Sequence, residues 1–346
     1  MEAFPRERER ERESKRRLRH IFNNIISVEN LLAAWREFSR GKKKRQDVAG
    51  FFLNLTDNII GLHLELREKT YRHGGYQAFK INDPKPRDIH KASVRDRLVH
   101  HAVYRILYPY FDEKFIFNSF SCRCDKGTHR ALNRFREYGR IVSKNQTRTT
   151  WVLKGDIRKF FASIDHDILS EILKRQIKDS NTLWLLNEVI GSFQTKDRPG
   201  AGLPLGNLTS QLLVNIYLNE FDQFVKRQLK VRYYIRYADD FIILTDDKIY
   251  LERLIKPIND FLSIKLKLTL HPDKVFIKTL ASGMDFLGWV NFPFCRVLRT
   301  ATKKRMFRGI KLKKGNKKTI QSYLGLLSHG NAKKLAQKIV KIAYNS

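Results

Sequence analysis

The feature that most constrains this chain is a pair of adjacent carboxylates, Asp239 and Asp240, between two stretches of strand-forming residues. Residues 231–237 and 241–245 are rich in Tyr, Ile and Phe, and such runs on both sides of a short polar bend predict a β-hairpin. Two charges beside apolar strands are costly unless something compensates them. An Asp-Asp pair taken alone favours a solvated turn, so other residues must decide whether a cation binds here.

A third acid, Asp156, follows an apolar run that begins at Trp151. The composition of residues 151–161 predicts a single strand. Ser163 or Asp165 is placed to cap a following helix, because both side chains accept hydrogen bonds from a first helical turn. The region therefore alternates strand, helix and acidic hairpin.

If the strand of Asp156 pairs beside the hairpin, Asp156 and Asp239 can share two Mg²⁺ ions that also bind nucleotide phosphates. Two such ions clamp an in-line phosphoryl displacement. Neighbouring strand residues point to opposite faces, so Asp240 is expected to contribute less directly than Asp239 unless the bend rotates it. These residues predict a phosphoryl-transfer centre.

The charge of the chain indicates a polyanionic partner. Its 346 residues are 42% hydrophobic, enough for two or three lobes, and 68 Lys and Arg against 35 Asp and Glu give a net charge of +33. Nucleic acid suits this charge, although a ribosomal protein or an anionic membrane surface would also fit it. The chain lacks an apolar run of ~18 residues and a signal-peptide core, which predicts a soluble, intracellular protein without membrane association.

Three cysteines are too few for a disulfide framework and favour a reducing compartment. Cys122 and Cys124 with His129 do not match a zinc-site spacing. Elsewhere, alternating Arg and Glu at residues 6–13 predict a solvated arm. Apolar spacing predicts helices over the ranges 21–38, 49–71 and 94–107, and two basic amphipathic helices within 320–340.

A set of short motifs follows in order along the chain: Arg87 with Val94-Arg95-Asp96-Arg97, Asn118-Ser119-Phe120-Ser121-Cys122-Arg123, Asp156 with Phe160-Phe161, Leu203-Pro204-Leu205-Gly206, Ser210-Gln211, Tyr237-Ala238-Asp239-Asp240, Lys274, and Phe286-Leu287-Gly288. Taken in this order, these motifs resemble those of a reverse transcriptase over about residues 30–330. One short acidic motif is weak support, whereas this many in the order of the family are specific.

The resemblance implies an α+β right-hand polymerase fold, with fingers, a palm whose β-sheet carries helices on one face, and a short helical thumb. The implied domains are an N-terminal arm (1–20), an N-terminal extension with fingers (21–150), a palm (151–290) with an inserted fingers segment at about 170–202, and a thumb (291–346).

The resemblance also implies roles for individual residues. Asp156, Asp239 and Asp240 would be the catalytic residues and would bind two Mg²⁺ ions. Phe161 would exclude a ribose 2′-hydroxyl, whereas Phe160 is expected to pack in the core. The implied nucleotide-binding residues are Arg87, Arg123, Phe161, Leu205, Gly206, Gln211 and Lys274, and the implied primer grip is Phe286, Leu287 and Gly288. For Arg87, a surface ion pair remains an open alternative.

Two departures from the commonest pattern resemble the reverse transcriptases of diversity-generating retroelements, which are related to group II intron enzymes. Leu205-Gly206 stands where most lineages have Gln-Gly, and Ser210-Gln211 stands where most have Ser-Pro. That lineage copies a template RNA with errors at adenines for mutagenic retrohoming. The implied partners are template RNA, an RNA or DNA primer, cDNA product, dNTPs and a small basic oligomeric accessory protein, in a prokaryotic or phage-encoded cytoplasmic setting.

Several alternatives stay open. A group II intron maturase is the nearest rival, and it is expected to need DNA-binding and endonuclease domains for which the segment after the thumb leaves no room. Retron and phage-defence reverse transcriptases share the fold and the acids. A catalytically silent RNA-binding scaffold would use the same basic surface, but it gives no reason to keep three acids.

Overall fold

The structure, a computed structural model, describes residues 18–82, 86–313 and 315–344, so the predicted arm at 6–13 lies outside the described residues. The α-helices are α1 (Phe22–Ile26), α2 (Val28–Ser39), α3 (Gln46–Leu53), α4 (Leu55–Arg67), α5 (Val94–Asp112), α6 (Thr128–Val142), α7 (Phe160–Ser163), α8 (His166–Gln176), α9 (Ser180–Gly191), α10 (Leu208–Gln223), α11 (Lys248–Asp260), α12 (Thr300–Leu312), α13 (Lys317–Leu327) and α14 (Lys333–Tyr344). The strands are β1 (Tyr76–Ile81), β2 (Arg87–Ala92), β3 (Trp151–Asp156), β4 (Tyr234–Tyr237), β5 (Asp240–Thr245), β6 (Phe276–Thr279), β7 (Met284–Phe286), β8 (Trp289–Asn291) and β9 (Arg296–Leu298).

The chain divides into two compact units, and the first comprises the described parts of Met1–Ile116, Arg158–Asp222 and Phe261–Thr269. It contains an antiparallel hairpin of β1 and β2 together with helices. The helix predicted over 94–107 is confirmed as α5, whose first turn is capped when Ser93 Oγ accepts the backbone N–H of Asp96 at 3.1 Å.

The two longer helices predicted in this unit, over 21–38 and 49–71, were wrong as single helices, because each range forms two helices. Residues 21–38 form α1 and α2, because Ser27 ends one helix and its side chain caps the next. Residues 49–71 fall into α3 and α4, which are separated at Asn54. Asp165 was correctly predicted as a cap, since its carboxylate accepts the backbone N–H of Ile168 at 3.1 Å at the start of α8.

The second unit comprises Phe117–Ile157, Gln223–Asp260 and the described part of Leu270–Ser346. It holds an antiparallel four-stranded sheet in the order β4-β5-β3-β6 and a three-stranded sheet in the order β7-β8-β9. Val152, Ile235 and Ile242 of the larger sheet share one apolar core with Phe135 of α6 and Met306 of α12. Burying each such side chain stabilises the fold by about 1.5–3 kcal/mol.

The two basic helices predicted near the end of the chain are confirmed as α13 and α14. The strand predicted over 151–161 was wrong beyond Asp156. There Lys159 adopts a left-handed φ of 45°, which no strand tolerates, and the aromatic pair begins α7 instead. Among the described residues no helix is both long and apolar enough to cross a membrane. The boundaries of fingers, palm and thumb stay predictions.

Candidate active site

The acidic hairpin forms as predicted, and its bend is tight. Tyr237 of β4 pairs with Asp240 of β5, which leaves Ala238 and Asp239 as a two-residue loop. Ala238 has a φ of 52°, a left-handed conformation that costs a residue with a Cβ about 1 kcal/mol. The surrounding unit must therefore hold this bend in place.

A buried arginine supplies much of that support. Arg236, only 1% exposed, donates a hydrogen bond of 3.1 Å to the carbonyl of Ala238 and one of 2.9 Å to Ser119 Oγ. Its backbone N–H donates to the carbonyl of Asn118, and its carbonyl accepts from Phe120, each at 3.0 Å. The motif at 118–123 therefore lies directly against β4. The sequence prediction missed Arg236, although a single charge inside an apolar strand is a signal for a specific partner.

Strand pairing brings the third acid to this bend. β3 runs antiparallel to β5, and Asp156 lies opposite Asp240 in the register. The backbone N–H of Ile157 donates to the carbonyl of Asp239 at 3.3 Å, which joins the bend to the end of β3. Asp240 therefore lies beside Asp156, although the alternation of strand faces predicted a less direct place for Asp240 than for Asp239.

The electrostatics of the cluster favour a bound cation or proton. Burial raises the pKa of Asp240 to about 6, the ammonium of Lys154 opposes this shift, and the carboxylates of Asp239 and Asp156 add to it. At neutral pH this side chain therefore carries a charge that its surroundings only partly compensate.

Two lysines accompany the acids. Lys274 Nζ lies 2.8 Å from Asp156 Oδ1, as the sequence placed it near the site. Lys154 Nζ lies 3.7 Å from Asp240 Oδ1 and donates a 3.0 Å hydrogen bond to the carbonyl of Asp285. The sequence prediction missed Lys154, but it stands two residues before Asp156 and therefore shares its strand face.

The carboxylates have the chemistry of a site for Mg²⁺, which prefers oxygen ligands. Asp240 Oδ1 is buried and accepts no hydrogen bond, so it is an oxygen that a hard cation would satisfy. Within the described ranges, no group of three or more His, Cys, Asp or Glu side chains is already arranged to hold a metal ion. Lysine ammonium groups contact Asp156 and Asp240 instead.

The first unit assembles several predicted nucleotide-binding residues around β2. The backbone N–H of His90 donates to the carbonyl of Leu205 at 3.0 Å, and Asn207 Nδ2 donates to the carbonyl of His90 at 2.9 Å. Gly206 between them has a φ of 101°, which favours glycine. Arg87 begins the same strand and is exposed.

Phe161 is linked to the same loop, because its carbonyl accepts the backbone N–H of Leu203 at 2.8 Å. Its ring is half-buried and lies 5.6 Å, centroid to centroid, from that of Phe160. Phe160 is only 3% exposed, which confirms its predicted place in the core. Gln211 is half-buried in the first turn of α10.

The remaining predicted positions lie in the second unit. Arg123 Nη1 donates to the carbonyl of Ser119 at 3.0 Å, within the segment that pairs with β4. The turn predicted at 286–288 is confirmed, since Phe286 pairs with Trp289 across Leu287 and Gly288. Both turn residues have positive φ, 51° and 84°. The roles of Arg123 and of this turn stay predictions.

Comparison with known proteins identifies the family to which this chain belongs. Residues 80–291, more than half of the 346-residue chain, match the family described as "Reverse transcriptase (RNA-dependent DNA polymerase)". The chain belongs to the reverse transcriptase family. This membership confirms the predicted fold class, an α+β right-hand polymerase.

The chain is 27% identical over 275 residues to Protein YkfC of Escherichia coli, covering 66% of this chain and 71% of that protein. It is 26% identical over 294 residues to the Group II intron-encoded protein LtrA of Lactococcus lactis, covering 65% of this chain and 47% of LtrA. It therefore spans less than half of that intron-encoded relative. The family and the predicted relation to group II intron proteins are confirmed, whereas the diversity-generating lineage stays a prediction.

Among solved structures, the chain resembles a telomerase from Candida albicans in complex with a fragment of telomeric RNA. The TM-score is 0.49 at 10% identity, over 68% of this chain and 48% of the telomerase. Apo telomerase from Candida tropicalis gives a TM-score of 0.48 at 13% identity, over 66% of this chain and 55% of that chain.

Proposed function

We propose that this protein is an RNA-directed DNA polymerase that extends an RNA or DNA primer with dNTPs on a template RNA to make cDNA. The observation that carries the proposal is the pairing of Asp156 opposite Asp240 beside the strained bend at Ala238. Membership in the reverse transcriptase family supports the same activity.

In this proposal Asp156, Asp239 and Asp240 hold two Mg²⁺ ions. When bound, these ions lower the pKa of the primer 3′-hydroxyl and neutralise charge on the pyrophosphate leaving group. Asp240 must be ionised to act as a ligand, and its pKa of about 6 leaves it ionised at neutral pH. Lys274, which contacts Asp156, would also be placed to contact the triphosphate.

The choice of deoxynucleotides is assigned to Phe161, whose half-buried ring would lie under the sugar. Arg87 and Arg123 would hold the triphosphate, and Leu205, Gly206 and Gln211 would line the base and sugar. Replacing Phe161 with Val should admit ribonucleotides while the rate with dNTPs falls less. Continued exclusion of ribonucleotides by Phe161→Val would remove the gate from the proposal.

The test is Mg²⁺-dependent primer extension on an RNA template by the wild type, Asp239→Ala and a matched surface control, Lys318→Gln. Lys318 is exposed on α13, so its loss should leave extension unchanged. The wild type should extend the primer and Asp239→Ala should not. Activity that persists in Asp239→Ala would contradict the metal assignment. No extension under any condition, including added partners, would favour the RNA-binding scaffold.

We further propose that the enzyme is error-prone at template adenines and serves mutagenic retrohoming in a diversity-generating retroelement, in a prokaryotic or phage-encoded cytoplasmic setting with a basic accessory protein. The apolar side chain of Leu205 supports this, because it cannot donate the amide hydrogen bond that glutamine would offer near the incoming nucleotide. Leu205→Gln should lower misincorporation opposite adenine. Equal error frequencies for Leu205→Gln and wild type would count against this role.

The similarity to intron-encoded proteins favours a group II intron-like reverse transcriptase as the second candidate. The DNA that flanks the gene separates the two. Paired repeats that differ only at adenines of one copy would support the diversity-generating proposal, and flanking intron RNA sequence would support the second candidate.

A further inference from the structure

A basic cleft lies in the second unit, beside the β7-β8-β9 sheet. Its volume is about 940 Å³, and it lies between the loop at 292–295, α6 and the loop that leads into α14. The cleft extends from the 292–295 loop along β9 to Leu298, which pairs with Trp289 of β8. None of the roles proposed above uses this cleft.

One residue of the lining, Arg296, carries a buried guanidinium with an unpaired donor. Arg296 is 9% exposed, and its side chain donates hydrogen bonds to the carbonyl of His329 and, at 3.0 Å, to Asn133 Oδ1. Its Nη1 has no hydrogen-bond partner. The guanidinium is fixed by these neighbours, and its positive charge stays beside the cleft without a carboxylate partner among the described residues.

The charge around Arg296 has one sign. The lining includes no Asp or Glu, and its other cationic residues are Arg136, Lys303, Lys333, Lys334 and Lys338. None of these five forms an ion pair with a carboxylate of the described residues. Such a concentration of uncompensated charge is unfavourable alone and attracts an anion.

An exposed aromatic ring extends the cleft. Phe294 is 82% exposed and also lines an adjoining cavity of about 750 Å³. The two cavities share Asn133, Arg136 and Phe294, and the second adds Arg140. The acid in its lining, Glu137, lies 2.9 Å from Arg134, which compensates its charge. A ring between two groups of cations is the arrangement on which an unpaired base stacks.

We propose that this cleft is a second RNA-binding site, in which the exposed Arg136 binds a backbone phosphate, the buried charge of Arg296 adds to the attraction and Phe294 stacks an unpaired base. A guanidinium fork matches phosphate geometry, and base stacking on an aromatic ring tolerates any sequence. The exposed ring favours RNA over an acidic protein segment, which offers charge but no base. The site rests on the proposed function only in taking RNA as the polyanion.

The test measures binding of a short fluorescein-labelled single-stranded RNA to the full chain by anisotropy at several salt concentrations. Phe294→Ala should weaken binding at least about fivefold with an unchanged salt slope. Arg136→Gln should reduce the slope of log affinity against log salt by about 0.7, the value for one phosphate contact on a single strand. Lys318 lies outside the cleft, so Lys318→Gln should bind the RNA with wild-type affinity.

RNA carrying 4-thiouridine should also crosslink to residues 292–296 in the wild type and much less in Phe294→Ala. Arg296 itself is a poorer first target, because it also supports the fold through Asn133 and His329. Phe294→Ala and Arg136→Gln should both still extend a primer that is too short to reach the cleft.

Unchanged RNA affinity and crosslinking in Phe294→Ala and Arg136→Gln would overturn the proposal. The proposal would also be overturned if both variants lost binding of a poly-glutamate peptide but kept RNA binding. That result would assign the cleft to a protein partner. Loss of RNA binding in these variants with no primer extension by the wild type would support the cleft and contradict the polymerase function.

Discussion

Replacing Arg236 with Met should loosen the acidic hairpin, because Met has a similar length but donates no hydrogen bond. The change leaves the carbonyl of Ala238 and the hydroxyl of Ser119 without their present donor. Each unsatisfied buried acceptor costs about 1–3 kcal/mol. Removing a buried guanidinium recovers part of its desolvation penalty, so we expect a net destabilisation of about 2–3 kcal/mol.

For a chain of 346 residues, that loss corresponds to a melting temperature lower by roughly 3–4 °C, measured by differential scanning fluorimetry. Primer extension should suffer more than folding, because a carboxylate displaced by about 1 Å costs on the order of a hundredfold in rate. Arg236→Lys, which keeps the charge and a donor, should recover part of both losses. Arg232→Met, an exposed arginine just before β4, is the matched control. Wild-type stability and rate in Arg236→Met would refute the supporting role.

Two further predictions concern the same sheet. Since burial raises the pKa of Asp240 to about 6, the folded state without metal holds a proton that the unfolded chain releases, and its stability should fall as the pH rises toward 6. The rate of primer extension should decline below that pH. Lys154→Met removes a cation that lowers the pKa of Asp240, so it should move the midpoints of both pH profiles, for stability and for rate, to higher pH. A stability that does not change with pH would contradict this prediction. Gly155→Ala places a Cβ 2.2 Å from the ring of Phe241 and should destabilise by about 1–3 kcal/mol in denaturant titrations. Gly61→Ala, on an uncrowded helix, should not.

The sequence predicted the acidic hairpin better than it predicted element boundaries, for a physical reason. Residues on both sides of Asp239 and Asp240 have strong strand preferences, so the hairpin followed from local composition. The end of β3 did not follow from local composition, because Phe160 and Phe161 favour strands. The left-handed conformation of Lys159 turns the chain into α7 instead. Strand preference depends on the surroundings of a residue, which local composition does not reveal.

Contacts between distant segments explain what the sequence prediction missed. Arg236 matters because it reaches Ser119, more than a hundred residues away, and no periodicity records such a bond. Lys154 could have been predicted from the sequence, since it shares a strand face with Asp156. Its link to the carbonyl of Asp285 required the fold. The basic cleft, in turn, depends on a buried Arg296 that the sequence shows only as one of many cations.

The central claim is that Asp156, Asp239 and Asp240 form one carboxylate centre for DNA synthesis on RNA. It is tested most directly by single-turnover incorporation of one dNTP on an RNA template by Asp156→Asn, Asp239→Asn and Asp240→Asn. Each Asn keeps the shape of Asp and removes its charge, so all three proteins should fold. Each should lose at least about a thousandfold in rate, a loss of about 4 kcal/mol in transition-state stabilisation. A wild-type rate in any one of them would show that the acids do not act as one centre.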